Sequence, residues 1–213
     1  RSKMIYEFCA ENVTDLGKAM QTGARRVELC DNLAVGGTTP SYGVIKAAVE
    51  LVSPYHTTVI TMIRPRGGDF VYNDLEMKIM LEDIQMARKA GTHGVVFGAL
   101  TVANEIDYLK MEKLVEAAQG LEIVFHMAFD AIPKEQQFST IDWLIEHGVS
   151  RILTHGGVAT EPIHNHFLWL NTLIKHAAGR IEILPGGGIT VNNRDEIIAN
   201  LGVNQLHGTK IVF

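Results

Sequence analysis

Residues 4–11, MIYEFCAE, and residues 25–31, RRVELCD, decide how this chain is read. Both are short runs with the β-branched and aromatic content of a strand. Each carries the triplet Glu-x-Cys, at Glu7 to Cys9 and at Glu28 to Cys30, and the two triplets use the only two cysteines of the sequence. In an extended strand alternate side chains share a face, so Ile5, Glu7, Cys9 and Glu11 are expected on one side and Tyr6, Phe8 and Ala10 on the other. In the second run Glu28 and Cys30 share a face, while Val27 and Leu29 point the opposite way, where a covering helix would want apolar groups. Two acids and two thiols are thereby expected to look into a common interior.

Six more such runs lie along the chain: TTVITMIRP (57–65), GVVFG (94–98), EIVFHMAF (122–129), RILTHG (151–156), IEILPGG (181–187) and QLHGTK (205–210). Helical patterns lie between them, clearest over 76–90, 107–118 and 139–147, with Gly91 and Gly148 placed to cap two of these. Eight strands alternating with helices predict an α/β fold, a TIM-type (β/α)8 barrel rather than an open sheet. Three residues follow the eighth run, so the final helix is expected to be missing or short. A strand face without cover would favour self-association, as a dimer or tetramer.

Composition narrows the function classes. A chain of 213 residues with 46% hydrophobic content suits one domain, here 4–213. Arg1 to Lys3 precede what reads as a native start at Met4 and are set aside as foreign to that domain. A net charge of -5 without any basic block argues against nucleic acid and anionic membranes as partners. No apolar run approaches the roughly 20 residues of a membrane span, and the RSKM start lacks the apolar core of a signal peptide, so a cytoplasmic protein is expected. In a reducing compartment two cysteines without a disulfide framework are buried hydrophobes, reactive thiols or soft-metal ligands, and the residues alone leave all three open.

In a barrel the working end lies where strands run into the following loops. The stretches 32–41 (NLAVGGTTPS) and 65–74 (PRGGDFVYND) are long for such loops and are candidate binding loops. Polar residues gather at this end: Glu7, Cys9 and Glu11 on the first strand, Glu28 and Cys30 on the second, Arg64 and Arg66 on the third, His126 and Asp130 on the fifth, Thr154 and His155 on the sixth, His207 on the eighth. An interior holding two glutamates must also hold cations, protons or a ligand, and Arg64 is the expected counter-ion. The set is either a structural ion-pair layer or an acid–base site. In the second case Glu7, Glu28, Arg64, His126 and Asp130 are the candidate catalytic residues. The run Leu184-Pro185-Gly186-Gly187-Gly188-Ile189-Thr190 is either a tight turn or a phosphate or carboxylate site, built from Gly186, Gly187 and Gly188 with Arg66 and His207. His56, His93, His147, His164, His166 and His176 are expected on the solvated surface. His126, His155 and His207 are the histidines placed to bind or move protons.

The ordered segments EFCAEN, GARRVELCDNLAVGGTTPS, MIRPRGGDFVY, GVVFGAL, FHMAFD, RILTHGG and LPGGGI together resemble the CutC copper-homeostasis family over nearly the whole chain. That resemblance implies a TIM barrel, a cytoplasmic location, self-association and a role in copper handling. It places Cu(I) ligands at Cys9 and Cys30, and a polar cavity at Glu7, Glu28, Arg64, Arg66, His126 and Asp130. The chain departs from the family pattern at Met127, where such proteins often carry arginine, at His155 in place of serine, and at Thr209 in place of serine. The gained His155 is a candidate extra ligand or base. Two readings result: a copper-binding protein using Cys9 and Cys30, or a TIM-barrel enzyme acting on a small phosphate- or carboxylate-bearing metabolite by acid–base chemistry.

Overall fold

The computed structural model describes residues 3–213. Arg1 and Ser2, set aside above, lie outside the described residues. The chain runs β1 (Ile5–Glu11), α1 (Leu16–Gln21), β2 (Arg26–Cys30), α2 (Tyr42–Val52), β3 (Thr58–Met62), α3 (Asp74–Lys89), β4 (Gly94–Phe97) and α4 (Tyr108–Ala117). It continues through β5 (Glu122–Phe125), α5 (Lys134–Glu146), β6 (Arg151–Thr154), α6 (Phe167–Ala177), β7 (Glu182–Pro185), α7 (Arg194–Leu201) and β8 (Gln205–Gly208). The eight strands are parallel in the order β7-β6-β5-β4-β3-β2-β1-β8, which is the nearly closed wall of a (β/α)8 barrel. At the seam between β7 and β8 the side chain of Gln205 meets Glu182, and Thr190 bridges Lys210 just beyond the strands.

Helix boundaries follow local chemistry. Asn73 caps α3 by accepting from the Glu76 amide, while the Glu76 carboxylate accepts from the Asn73 amide, so this helix starts two residues before the pattern 76–90 predicted. Gly91 and Gly148 adopt positive φ after α3 and α5, the conformation a helix end needs. α5 starts at Lys134 rather than Ser139 because its inward residues Gln137 and Thr140 are polar, and an apolar periodicity does not see them. No helix follows β8 among the described residues. Instead Ile211 and Val212 are buried, and Phe213 packs on Phe8 of β1 with ring centroids 5.5 Å apart.

The alternation read from the first two strands holds. Phe8, Ala10, Val27 and Leu29 join the large apolar layer between strands and helices. Cys9 and Cys30 join Ile60, Met62, Val96 and Val124 in a smaller cluster inside the barrel. Glu11 departs from that expectation: it reaches the rim, exposed, where its carboxylate accepts from the Leu33 amide. Among the described residues no helix is long and apolar enough to cross a membrane.

Candidate functional site

Strand register sets the site. In the β1–β2 ladder Glu7 lies opposite Arg26, Cys9 opposite Glu28 and Glu11 opposite Cys30, while Glu7 lies opposite His207 in the β1–β8 ladder. The matching triplets are therefore offset by two residues. Arg26 shares the inward face of Glu28 and Cys30, one layer below them.

In that lower layer Arg26 Nε donates to Glu7 Oε2 at 2.5 Å and its Nη2 donates to Gln205 at 2.7 Å. His207 Nδ1 donates to Glu7 Oε1 at 2.7 Å and stands 3.6 Å from Glu28 Oε2. The counter-ions of the buried glutamates are thus Arg26 and His207, not Arg64 as expected. Arg26 is the functional-site residue that sequence reasoning passed over, although strand parity with Glu28 pointed to it. Burial opposes ionisation of Glu7, but Arg26 and His207 outweigh it and hold the carboxyl well below its ordinary range. Burial lowers the proton affinity of His207, yet Glu28 and its contacts with Cys9 and Glu7 overturn this and raise it well above the ordinary value.

One layer up, the Cys9 and Cys30 sulfurs and a Glu28 carboxylate oxygen all lie within 4.8 Å of one another. Cys30 Sγ is 3.5 Å from Glu28 Oε1. The Cys30 thiol donates toward Cys9, which, with His207 nearby, lowers the Cys9 thiol to about 5. The same contact, with burial, raises Cys30 well above the ordinary value. Burial pushes Glu28 up to about 8, so near neutral pH it keeps its proton.

Above this layer opens a cavity of about 290 Å³, lined by Cys9, Glu28, Arg64, His126 and His207 with apolar walls from Met62, Phe70 and Leu153. Arg64 locks its rim. Its Nη1 donates to Val35 O at 2.6 Å and Gly37 O at 3.0 Å, and its Nη2 to Gly68 O at 2.8 Å, so one guanidinium ties together both loops singled out from sequence. A Cβ on Gly37 would come within 3.0 Å of Cys30 Sγ, which shows how closely this loop covers the deeper thiol. His126 accepts the Ala128 amide at Nδ1, and burial, then the Arg64 charge, lower it to about 3.

Other candidates fall elsewhere. Arg66 turns outward to Asp69 and Glu76 and does not line the cavity, because its own loop and the first turn of α3 supply those carboxylates. Asp130 accepts from Thr154 Oγ1 at 2.5 Å and from the His155 amide at 2.9 Å, bracing the loop after β6 rather than facing the cavity. Gly187 and Gly188 line a separate hollow of about 380 Å³ with Thr190, His207 and Lys210. Gly186 is outside it: a Cβ there would meet Leu153, Met127 and His207. The turn does need glycine, since Gly187 has φ +93° and a Cβ on it would lie 2.4 Å from His155 Nδ1. His155 places its two ring nitrogens 2.8 Å from the carbonyl oxygens of Gly186 and Glu161, so it pins two loops together. His166, expected on the surface, is buried with its ring 5.2 Å from that of His155.

Fold and site together define a barrel protein whose mouth holds a thiol pair and protonatable acids over a buried ion-pair floor. The family model described as the CutC family matches residues 4–212. A CutC family protein of Enterococcus faecalis is 55% identical over 209 residues, covering 98% of this chain and 100% of the relative, and one of Streptococcus pyogenes is 52% identical with the same coverage. The crystal structure of a candidate copper homeostasis protein, CutC, of Streptococcus agalactiae superposes with a TM-score of 0.95 at 51% identity, covering 98% of this chain and 99% of that one. The chain belongs to the CutC family. A deoxyribose phosphate aldolase of Aeropyrum pernix, at TM-score 0.70 and 12% identity over 97% of this chain and 85% of its own, shares the barrel alone.

Proposed function

We propose that this protein serves copper homeostasis in the cytoplasm by binding Cu(I) at the barrel mouth, with Cys9 and Cys30 as thiolate ligands. The observation that carries this is the convergence of the two sulfurs within 4.8 Å, beside Glu28. Two metal–sulfur bonds of roughly 2.3 Å reach about 4.6 Å end to end, so one ion fits between the sulfurs with little movement. Paired thiolates select a soft ion such as Cu(I), whereas structural zinc wants four closed ligands. The acidified Cys9 lines the cavity and is the first sulfur an entering ion meets; Cys30, fully buried, follows by giving up its proton. The name of the Streptococcus agalactiae relative and the family resemblance point the same way. Anaerobic Cu(I) titration against a competing chelator should reveal a tight site that is lost in the Cys9→Ala/Cys30→Ala double variant. Equal binding by the double variant rules the site out.

A second reading, an enzyme acting on a small anionic metabolite, is favoured by Glu28, which keeps its proton to about 8 beside the cavity and is thereby suited to general acid chemistry near neutral pH. Self-association as a dimer or tetramer belongs to the same proposal, through the family resemblance.

A further inference from the structure

Arg64 and His126 line the cavity without being needed for a two-thiolate copper site, and each carries a buried donor without a partner among the described residues. Arg64 is 5% exposed and His126 4% exposed. Arg64 spends its terminal nitrogens on the carbonyl oxygens of Val35, Gly37 and Gly68, which leaves Nε without a short hydrogen bond among the described residues; the buried Tyr72 hydroxyl, itself unsatisfied, is the polar group beside this guanidinium. Among the described residues no carboxylate lies within ion-pair distance of this guanidinium, although the other buried arginines of the barrel interior, Arg26 and Arg151, each have one. His126 Nε2 is likewise without a partner. Its Nδ1 accepts the Ala128 amide, so the ring proton sits on Nε2 and that atom is a donor. The Nδ1–Cε1 edge abuts Gly98, where a Cβ would lie 2.8 Å from Cε1 and 3.0 Å from Nδ1. Phe70 holds both groups, 5.2 Å from the Arg64 guanidinium carbon and 4.9 Å from the His126 ring centre.

A buried donor without an acceptor is destabilising, and two of them on residues that line one cavity, beside a cation with no carboxylate partner, describe a missing ligand. We infer that Arg64 Nε and His126 Nε2 form the recognition pair of a subsite for a small organic carboxylate, which occupies the cavity with its carboxylate on this wall and its apolar part against Met62, Phe70 and Leu153. The cavity volume, at the lower end for ligand sites, limits the occupant to a short-chain acid. The low proton affinity of His126 suits this role: it stays a neutral donor across the physiological range and does not transfer protons. This subsite is independent of the copper proposal, because it uses neither sulfur.

The test uses the metal-free full chain and four probes, formate, acetate, butyrate and pyruvate, with butyramide as the uncharged control, read by calorimetric titration and thermal shift. At least one carboxylate should bind at millimolar or lower concentration, and butyramide about tenfold or more weaker than butyrate. His126→Phe, which keeps the ring and removes the donor, should weaken carboxylate binding about tenfold or more, and His126→Gln, which restores a donor, should recover most of it. Binding should persist in the Cys9→Ala/Cys30→Ala variant, which separates failure here from failure of the copper site. If no probe binds at tens of millimolar, if butyramide binds as well as butyrate, or if folded His126→Phe and His126→Gln bind like the unaltered chain, the inference is wrong.

Discussion

Arg26 carries more of the buried charge balance than any residue singled out for chemistry. It sits 4% exposed under the cavity floor, joined to Glu7 and Gln205, and it is why two glutamates can share the interior with two thiols. Removing one member of a buried ion pair leaves an uncompensated charge, so Arg26→Met should cost about 3–5 kcal/mol in urea unfolding. A loss under about 1 kcal/mol would show that His207 alone neutralises Glu7. At this scale the site was legible by residue type: strand parity placed Glu7, Cys9, Glu28 and Cys30 together on the inside, and the strand ends supplied Arg64, His126 and His207. Partner choice was not legible. Arg64 and Arg66 follow one strand two residues apart, yet one clamps carbonyl oxygens under the loops and the other turns to Glu76. Only the path of the chain after Met62 separates them.

Among the elements, the two long loops and the starts of helices decide how the cavity is held. Loop 32–41 and loop 65–74 touch so closely that a Cβ on Gly67 would lie 2.8 Å from Val35 Cβ, and Arg64 binds both. The second loop is anchored through Arg66 and Glu76 to the first turn of α3, where Asn73 and Glu76 exchange hydrogen bonds. Asn73→Ala should therefore lower stability by about 1 kcal/mol, measurable by chemical denaturation, while leaving Cu(I) stoichiometry unchanged. A neutral effect would mean that the Arg66 to Glu76 pair alone fixes the helix start. Strands were legible because their apolar and β-branched runs are bounded by turn residues. The first turn of α5 was not, because Gln137 and Thr140 face inward as polar groups: Gln137 donates to the carbonyl oxygens of Phe129 and Ile132. Periodicity registers apolar side chains and misses an inward face that is satisfied by hydrogen bonds.

For the whole molecule, the two cavity histidines shift in opposite directions, His126 down through burial and His207 up because Glu28, Cys9 and Glu7 outweigh burial, and stability must record both. The folded chain keeps His126 neutral down to about 3, whereas in the unfolded chain it takes up a proton near 6.5, so stability is lost as pH falls through that interval. His207 is raised above 6.5, so its contribution is complete below that pH and is lost as pH rises toward its folded value. Between about 5 and 8 the raised Glu28 and the lowered Cys9 act with opposite sign and largely offset each other. The metal-free protein should be most stable near pH 6.5 in urea denaturation from pH 4 to 9, and His126→Phe should flatten the acid side. A profile that climbs steadily through pH 8 contradicts the raised His207.

The amino-acid sequence by itself determined the eight-strand alternation, the inward faces of β1 and β2, and the two loops that roof the mouth, because these depend on local periodicity and on residues near one another in the chain. Tertiary structure alone decided that the two Glu-x-Cys triplets are offset by two residues and still bring their sulfurs together, that Arg26 and His207 neutralise the glutamates, and that Arg64 and His126, which line one cavity, keep buried donors without partners among the described residues. Those outcomes depend on the register between strands and on barrel closure, which joins His207 to Glu7 across 200 positions of chain, and no local pattern encodes that distance.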